Sequence, residues 1–209
     1  MIRLLSLIFI VFVFNTFEIK AHCLVAGYAQ PLDSITLQAK AKKLKQLYLL
    51  STSSSKEASI VYKEQFFIEF PQTFNQLLEL YGYNDNKPAV LYFEGENHIL
   101  KLFNNLDNIN DTLYYKKIIS IAIGGHWDAD AVNYFQYGLR KRVLNDPELT
   151  VYILKDKSEK DIKSFWFFYF DGAHPQKQIV EQLLKIRYIN SNIYDLMIEA
   201  HNDVLKQSH

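Results

Sequence analysis

The sequence has few of the residues that crosslink a fold or bend its chain. Its 209 residues include one cysteine, seven glycines and five prolines. The lone cysteine, Cys23, has no partner for an internal disulfide, so the fold must depend on its hydrophobic core. The shortage of glycine and proline argues against an all-β sandwich or barrel, which needs many tight turns.

An excess of charge of one sign is also missing. The chain has 23 Lys and Arg residues and 23 Asp and Glu residues. A net charge near zero gives no electrostatic reason to expect nucleic acid or an anionic membrane as a partner. Hydrophobic residues make up 49% and aromatic residues 15% of the chain. Such a composition is typical of a domain with a large core and argues against disorder.

Residues 1–21 have the pattern of a cleavable secretory signal, with a charge at Arg3, an apolar run over Leu4–Phe14 and a small residue at Ala21. The apolar run is much shorter than the roughly 20 residues that a bilayer-spanning helix needs. We therefore expect cleavage after Ala21. The product would be a single periplasmic or secreted domain over residues 22–209, with no membrane span.

Two alternatives concern this terminus. The apolar run could be retained as an anchor, or Cys23 could carry a lipid. Lipid-modified cysteines normally follow small residues, whereas His22 and Lys20 lie just before Cys23. We therefore expect Cys23 to be an unpaired thiol.

Apolar residues at helical spacing, together with capping signals, predict an all-α fold. We expect an irregular bundle or a short stack of helical hairpins with about eight or nine helices. The expected helix starts are Asp33, Ser54, Thr73, Pro88, Asn110 or Asp111, Asp128, Asp146-Pro147, Ser158, Pro175 and Ser191. The apolar runs 118–123 and 165–170 would suit either a strand or a helix. Helix is favoured because each run lies in a longer capped segment, and we expect the aromatic run 165–170 to belong to the core.

A glycine and a nearby histidine recur at three turns, around Gly95, Gly125 and Gly172. The 47 residues from Gly125 to Gly172 match the period of two-helix repeats. Common ancestry of the turns and convergent helix-ending chemistry both account for the pattern. If the three glycines lie at one edge of the fold, their turns would form a single site.

The densest polar and aromatic segment supplies the candidate binding residues. A structural interpretation is a helix end followed by a helix start, in which Asp128 caps the new helix and Asp130 complements its dipole. A functional interpretation is a binding loop for a partner or a small polar ligand. The candidates are His126, Trp127, Asp128 and Asp130, with Asp171 and His174 from the second turn.

Catalytic and metal-binding motifs find little support. The chain lacks Gly-x-Ser-x-Gly, a phosphate-binding glycine loop and a cysteine cluster. Asp128 and Asp130 are two residues apart and would point to different sides of a helix. The calcium-loop pattern that they begin fails at Asn133 and Leu139. We therefore expect no catalytic residue, no metal and no cofactor.

The sequence thus favours a non-enzymatic binding protein whose partner is another protein, and an immunity or inhibitor protein is one instance. Fourteen tyrosines support this prediction, because exposed aromatic residues are enriched at interfaces. The alternative is a metal-dependent hydrolase that uses His126, Asp128, Asp171 and His174. A third class is a structural subunit of an envelope complex.

Overall fold

The structure is a computed structural model that describes residues 34–84, 87–104, 106 and 108–207. The predicted signal at residues 1–21 and Cys23 lie outside the described residues. The all-α prediction is confirmed, and nine helices in this part have eight residues or more, close to the predicted number. The helices are α1 (Ser34–Ser53), α2 (Lys56–Glu69), α3 (Phe74–Tyr81), α4 (Gly95–Asn104), α5 (Asp111–Ala122), α6 (Ala131–Asn145), α7 (Pro147–Leu154), α8 (Glu159–Phe170), α9 (Glu181–Leu184), α10 (Ile186–Ile189) and α11 (Ser191–Gln207).

The long helices pack in neighbouring pairs around one continuous core. α1 lies along α2, α4 along α6, and α8 along α11, while α5 contacts α7 and α8. A hairpin of two-residue strands, β1 (Tyr83–Asn84) and β2 (Lys87–Pro88), connects α3 to a short 3-10 turn before α4. Among the residues described, no helix has both the length and the apolar character needed to cross a bilayer.

Side-chain caps fix several helix starts where the sequence predicts them. Thr73, Asn110, Asp146 and Ser158 each accept a hydrogen bond from the backbone N–H three residues later, at 3.3, 3.2, 2.9 and 3.2 Å. Each such cap satisfies a donor that has no partner within its helix and contributes about 1 kcal/mol. These helices therefore begin for local reasons that the sequence makes visible.

The connection between α1 and α2 is short, and α2 begins one residue later than the predicted start at Ser54 implies. α1 continues to Ser53 because the hydroxyl groups of residues 51–53 donate to backbone carbonyl oxygens three or four residues earlier. The cap of α2 is Ser55 rather than Ser54, and its hydroxyl accepts from the backbone N–H of Ala58 at 3.5 Å.

Two predicted helix starts at proline are wrong. Pro88 lies in β2 opposite Tyr83, and the helix that follows begins at Gly95. A proline can occupy such a two-stranded edge because its missing N–H need not enter the ladder. Pro175 lies in a non-helical loop of residues 171–180, and the next helix begins only at Glu181.

The two ambiguous apolar runs are helical and lie in α5 and α8, as the sequence favours. The aromatic run at the end of α8 belongs to the core, since Phe165, Trp166, Phe168, Tyr169 and Phe170 are all buried. Each ring removes roughly 150–250 Å² from water, which corresponds to about 4–6 kcal/mol of transfer free energy. These rings hold the end of α8 in place, where the candidate site begins.

Cationic side chains from one helix complete the carboxyl ends of others. The Lys101 ammonium donates to a carbonyl oxygen at the end of α1 at 3.2 Å, and the Lys117 ammonium donates to three carbonyl oxygens at the end of α2. Arg142 donates to the carbonyl oxygen of Phe103 at the end of α4 at 2.6 Å. The last carbonyl groups of a helix lack intrahelical partners and form the negative end of its dipole. Each cation therefore donates hydrogen bonds to these carbonyl groups and also compensates the negative end of the dipole.

Candidate functional site

The turn between α5 and α6 is fixed against α8 by two glycines that act differently. Gly124 adopts a left-handed conformation with φ of 79°, and its N–H donates to the hydroxyl of Ser164 on α8 at 2.8 Å. Gly125 lies so close to Phe168 that an added Cβ would be 2.6 Å from the ring. A side chain would strain the backbone at Gly124 and would clash with the Phe168 ring at Gly125.

The second turn, at the end of α8, is joined directly to the first. One carboxylate oxygen of Asp171 accepts from the backbone N–H of Trp127 at 2.5 Å, and the other accepts from the N–H of Gly172 at 2.8 Å. Gly172 lies beside the Trp127 ring, since an added Cβ would be 3.9 Å from Cδ1. The structure thus brings together the two turns that carry the sequence candidates.

The third glycine turn reaches the same place from the other side. An added Cβ on Gly95 would be 3.2 Å from the Cβ of Ala131, the first residue of α6. Just before it, the Tyr92 hydroxyl donates to a carboxylate oxygen of Asp130. The three turns therefore meet around the start of α6, although Gly95 begins a helix rather than ending one. We call this surface, formed by residues 92–96, 126–134 and 171–174, the α6 edge.

The start of α6 differs from the sequence expectation. Asp128 does not cap the helix. Its carboxylate accepts from the N–H of Ala129 at 2.7 Å, and the cap position is occupied by Asp130. Asp130 makes no side-chain cap bond because its carboxylate accepts from Tyr92 instead. Its backbone has φ of 54° and ψ of −112°, a conformation that costs a residue with a Cβ roughly 1–3 kcal/mol.

Two residues that the sequence does not single out position the second turn. Arg140 donates to the carbonyl oxygens of Tyr169 at 2.8 Å and Asp171 at 2.6 Å. The amide nitrogen of Gln136 donates to the carbonyl oxygens of Phe168 at 2.6 Å and Asp171 at 3.2 Å. Both side chains come from α6 and complete the end of α8. No local pattern marks them, because their partners lie 29 to 35 residues further along the chain.

A polar cleft of about 350 Å³ lies between the turns, and we call it the α6 cleft. Trp127 forms one wall with 37% of its surface exposed, and the carboxylate-bearing Asp130 lies beside it. The remaining lining residues are Ala129, Asn133, Gln136, Arg140, Gly172, Ala173 and His174. The volume is at the lower end of the range for small-ligand pockets, and the lining is more polar than in most of them.

The candidate histidines have separate environments. His126 is exposed, and its ring packs edge-on against Phe74 with 4.9 Å between ring centroids. His174 is exposed at the α6 cleft. Both carboxylate oxygens of Asp171 already accept backbone N–H groups. Within the described part of the chain, no three His, Cys, Asp or Glu side chains form a group able to hold a metal. The donor set that the hydrolase alternative requires is therefore not assembled.

A second groove, of about 540 Å³, lies between α7 and α10. It is lined by Tyr152, Lys155 and Ile189 among others, and the Lys155 ammonium lies 4.0 Å from the centre of the Tyr152 ring. The groove is larger than the α6 cleft, but it contains none of the sequence candidates and no buried polar atom without a partner among those described.

The arrangement at the α6 edge can stack a planar or cationic group on Trp127 and exchange hydrogen bonds with carboxylate, amide and guanidinium groups.

Comparison with protein-family models, with curated proteins and with solved structures finds no match to this chain.

Proposed function

We propose that the protein is an exported binding protein, without enzymatic activity, that recognises another protein through the α6 edge. Export is inferred from the signal-like residues 1–21. The observation that carries the binding proposal is the display of large aromatic rings on this edge. Phe93 is 82% exposed and Trp127 is 37% exposed, and Tyr83, at 51%, contacts Tyr92 in the same cluster. Aromatic side chains are the commonest energetic anchors of protein interfaces.

Rigidity of the edge supports the same proposal. The backbone that carries Trp127 is held by the Asp171 carboxylate, and the Asp171 turn is held by Arg140 and Gln136. Tyr92 is tied to the start of α6 through Asp130. A surface that is already ordered loses little conformational entropy on association, which increases affinity for a given set of contacts.

The geometry favours binding over hydrolysis. A hydrolase of the metal-dependent class needs an assembled donor set with an open position for water. Asp171, one of the four candidate ligands, uses both carboxylate oxygens to hold backbone N–H groups. A strained residue, Asp130, also lies at this edge, and backbone strain is concentrated at functional sites.

An immunity or inhibitor protein is the role that best suits these features. Such a protein neutralises its target by covering it, which requires a rigid, complementary surface and no reaction. The aromatic anchors and carboxylates of the α6 edge supply such a surface. In this role, the partner would be encountered outside the cytoplasm.

The test is affinity capture from the extracytoplasmic fraction of the host. The chain is expressed with its own N-terminus and a C-terminal non-histidine tag. Phe93→Ser and Trp127→Ser are compared with Tyr188→Ser, which removes an 89% exposed ring on α10. We expect the two edge variants to lose a partner that wild type and Tyr188→Ser retain. Retention of the same partners by all variants would show that the α6 edge is not the binding surface.

The same sample tests the other parts of the proposal. Its intact mass should lack residues 1–21, because the signal is expected to be removed during export. Elemental analysis should find no stoichiometric zinc, manganese or calcium. A bound metal in a one-to-one ratio would revive the hydrolase alternative, and an uncleaved cytoplasmic chain would refute export.

A further inference from the structure

Three carboxylates on the α6 edge lie close to two tyrosine hydroxyl groups. The pKa of Tyr92 is raised by its hydrogen bond to Asp130 and further by the charges of Asp130 and Asp128. The pKa of Tyr134 is raised chiefly by the negative charge of Glu96, to which it is hydrogen-bonded, and also by Asp130. Within the described residues, none of these three carboxylates forms an ion pair. The edge therefore presents uncompensated negative charge.

Two cations close to this edge are already engaged. Arg140 directs its Nε and one terminal nitrogen at carbonyl oxygens that end α8, so its charge faces the negative end of that helix dipole. Lys45 pairs with Glu94, the carboxylate next to the exposed Phe93. Neither cation contacts the group formed by Glu96, Asp128 and Asp130.

Aromatic faces lie beside the carboxylates. The rings of Tyr83 and Tyr92 are 5.5 Å apart between centroids, and those of Tyr92 and Phe93 are 5.2 Å apart. Trp127 adds an indole wall at the α6 cleft. Such faces attract ammonium and guanidinium groups, and guanidinium also stacks flat upon them. A cation approaching this edge would meet both favourable partners, a carboxylate and a ring.

One residue that lines the α6 cleft carries a buried acceptor with no partner among the described groups. Gln136 is 1% exposed and lines the cleft, and its amide nitrogen donates to two carbonyl oxygens. These acceptors fix the orientation of the amide, which leaves its oxygen without a hydrogen-bond partner among the described groups. The exposed carboxylate of Asp130, which also lines the cleft, is an acceptor that a ligand can reach, and a guanidinium group offers five donors.

We propose that the partner presents a basic segment to the α6 edge, with an arginine side chain seated in the α6 cleft between Trp127 and Asp130. This inference rests on the binding function proposed above. The charge complementarity of Glu96, Asp128 and Asp130, together with the exposed rings, selects a basic protein segment over an acidic one. An acidic segment would face these carboxylates, and Arg140, which lines the cleft, is committed to the end of α8.

The test uses a fluorescein-labelled peptide of alternating arginine and glycine as the probe. Control peptides of the same length replace each arginine with citrulline or with glutamate. Binding of the full chain is followed by fluorescence anisotropy at low and at high salt. Glu96→Gln/Asp128→Asn/Asp130→Asn removes the three edge charges with little change in side-chain size. The matched control Glu64→Gln/Glu181→Gln/Asp195→Asn removes three exposed charges elsewhere.

We expect the arginine peptide to bind, and the citrulline and glutamate peptides to bind at least about tenfold more weakly. The edge triple variant should weaken binding of the arginine peptide about tenfold, since exposed charge pairs each contribute modestly, while the matched control retains it. High salt should weaken the wild-type interaction. Unfolding midpoints of both variants, measured alongside, show whether each variant is folded.

Three outcomes would overturn the inference: no binding of the arginine peptide, equal or tighter binding of the glutamate peptide, or equal loss in the two triple variants. The binding function is judged separately by affinity capture. If a natural partner is lost by Trp127→Ser but retained by the edge triple variant, the function stands and the basic-segment inference is wrong.

Discussion

Lys117 should make the stability of the protein rise with pH. Its side chain is 7% exposed, and burial, with a smaller contribution from Lys40, lowers its pKa from 10.5 to about 7, against the opposing charge of Glu69. Between these two values the unfolded chain carries a proton that the folded chain lacks, so the free energy of unfolding increases with pH. At about 1.4 kcal/mol per pKa unit, the total gain is about 5 kcal/mol. The three carbonyl acceptors at the end of α2 favour the ammonium form, so this figure is an upper limit.

Buried tyrosines set the upper end of this pH range. Burial raises the pKa of Tyr115 and of Tyr169 to about 12, above the ordinary value of 10.0. A group whose pKa is raised by folding contributes stability below its unfolded pKa and loses it as pH rises towards the folded pKa. Stability should therefore increase from about pH 7, reach a maximum near pH 10, and then fall.

Urea unfolding followed by tryptophan fluorescence measures this profile. Wild type should show an increasing free energy of unfolding from about pH 7 to about pH 9.5, whereas Lys117→Met should be nearly flat over that range. Lys116→Met, which removes an exposed lysine on the same helix, should retain the wild-type slope. Equal slopes in wild type and Lys117→Met would show that Lys117 stays charged in the fold and would refute the reasoning.

Three further predictions concern other buried contacts. Burial lowers the pKa of His98 to about 4. The free energy of unfolding of wild type should therefore fall by up to about 3 kcal/mol as pH decreases from 6.5 towards 4. In the same urea titration, His98→Phe should lose much less. Gly138→Ala should destabilise the protein by about 2 kcal/mol in thermal unfolding, because the new Cβ would lie 2.3 Å from the Phe103 ring, whereas an unchanged midpoint would show that the ring can move. Arg140→Met should cost about 2–3 kcal/mol and speed hydrogen exchange around Asp171, because the carbonyl groups that end α8 would lose charged donors, and unchanged exchange would contradict this role.

Much of the helical framework could be predicted because its signals are local. The caps at Thr73 and Asp146 need only a side-chain oxygen and a backbone N–H three residues later. The buried face of α6, which includes Phe135 and Leu139, follows from helical spacing of apolar residues. The aromatic run 165–170 would suit a strand or a helix by its composition, and the local cap at Ser158 favours the helix.

The wrong predictions arise where a distant partner outweighs a local preference. Asp128 has the sequence of a helix cap, yet α6 begins later because Asp130 is held by Tyr92, 38 residues earlier in the chain. The sequence predicts that Pro88 opens a helix, but pairing with Tyr83 places it in a hairpin. Neither the Tyr92–Asp130 hydrogen bond nor the Tyr83–Pro88 pairing can be recognised from the sequence around Asp128 or Pro88.

The candidate site shows the same division. Its candidate residues at the turns, such as Trp127 and Asp171, occur at conspicuous places in the sequence and could be predicted from it. The residues that position them, Gln136 and Arg140, could not, because a buried glutamine and a half-buried arginine on α6 carry no local sign of a partner on α8. Their role becomes visible only when α6 and α8 are placed side by side.

The cations that complete helix ends have a consequence for synthesis of the chain. α1 and α2 are finished by Lys101 and Lys117, residues about 50 positions further on. While the chain grows from its N-terminus, the first two helices must wait for these lysines before their final carbonyl groups are satisfied. Until translation has passed residue 117, water must satisfy the carbonyl groups at the end of α2 that Lys117 satisfies in the folded protein.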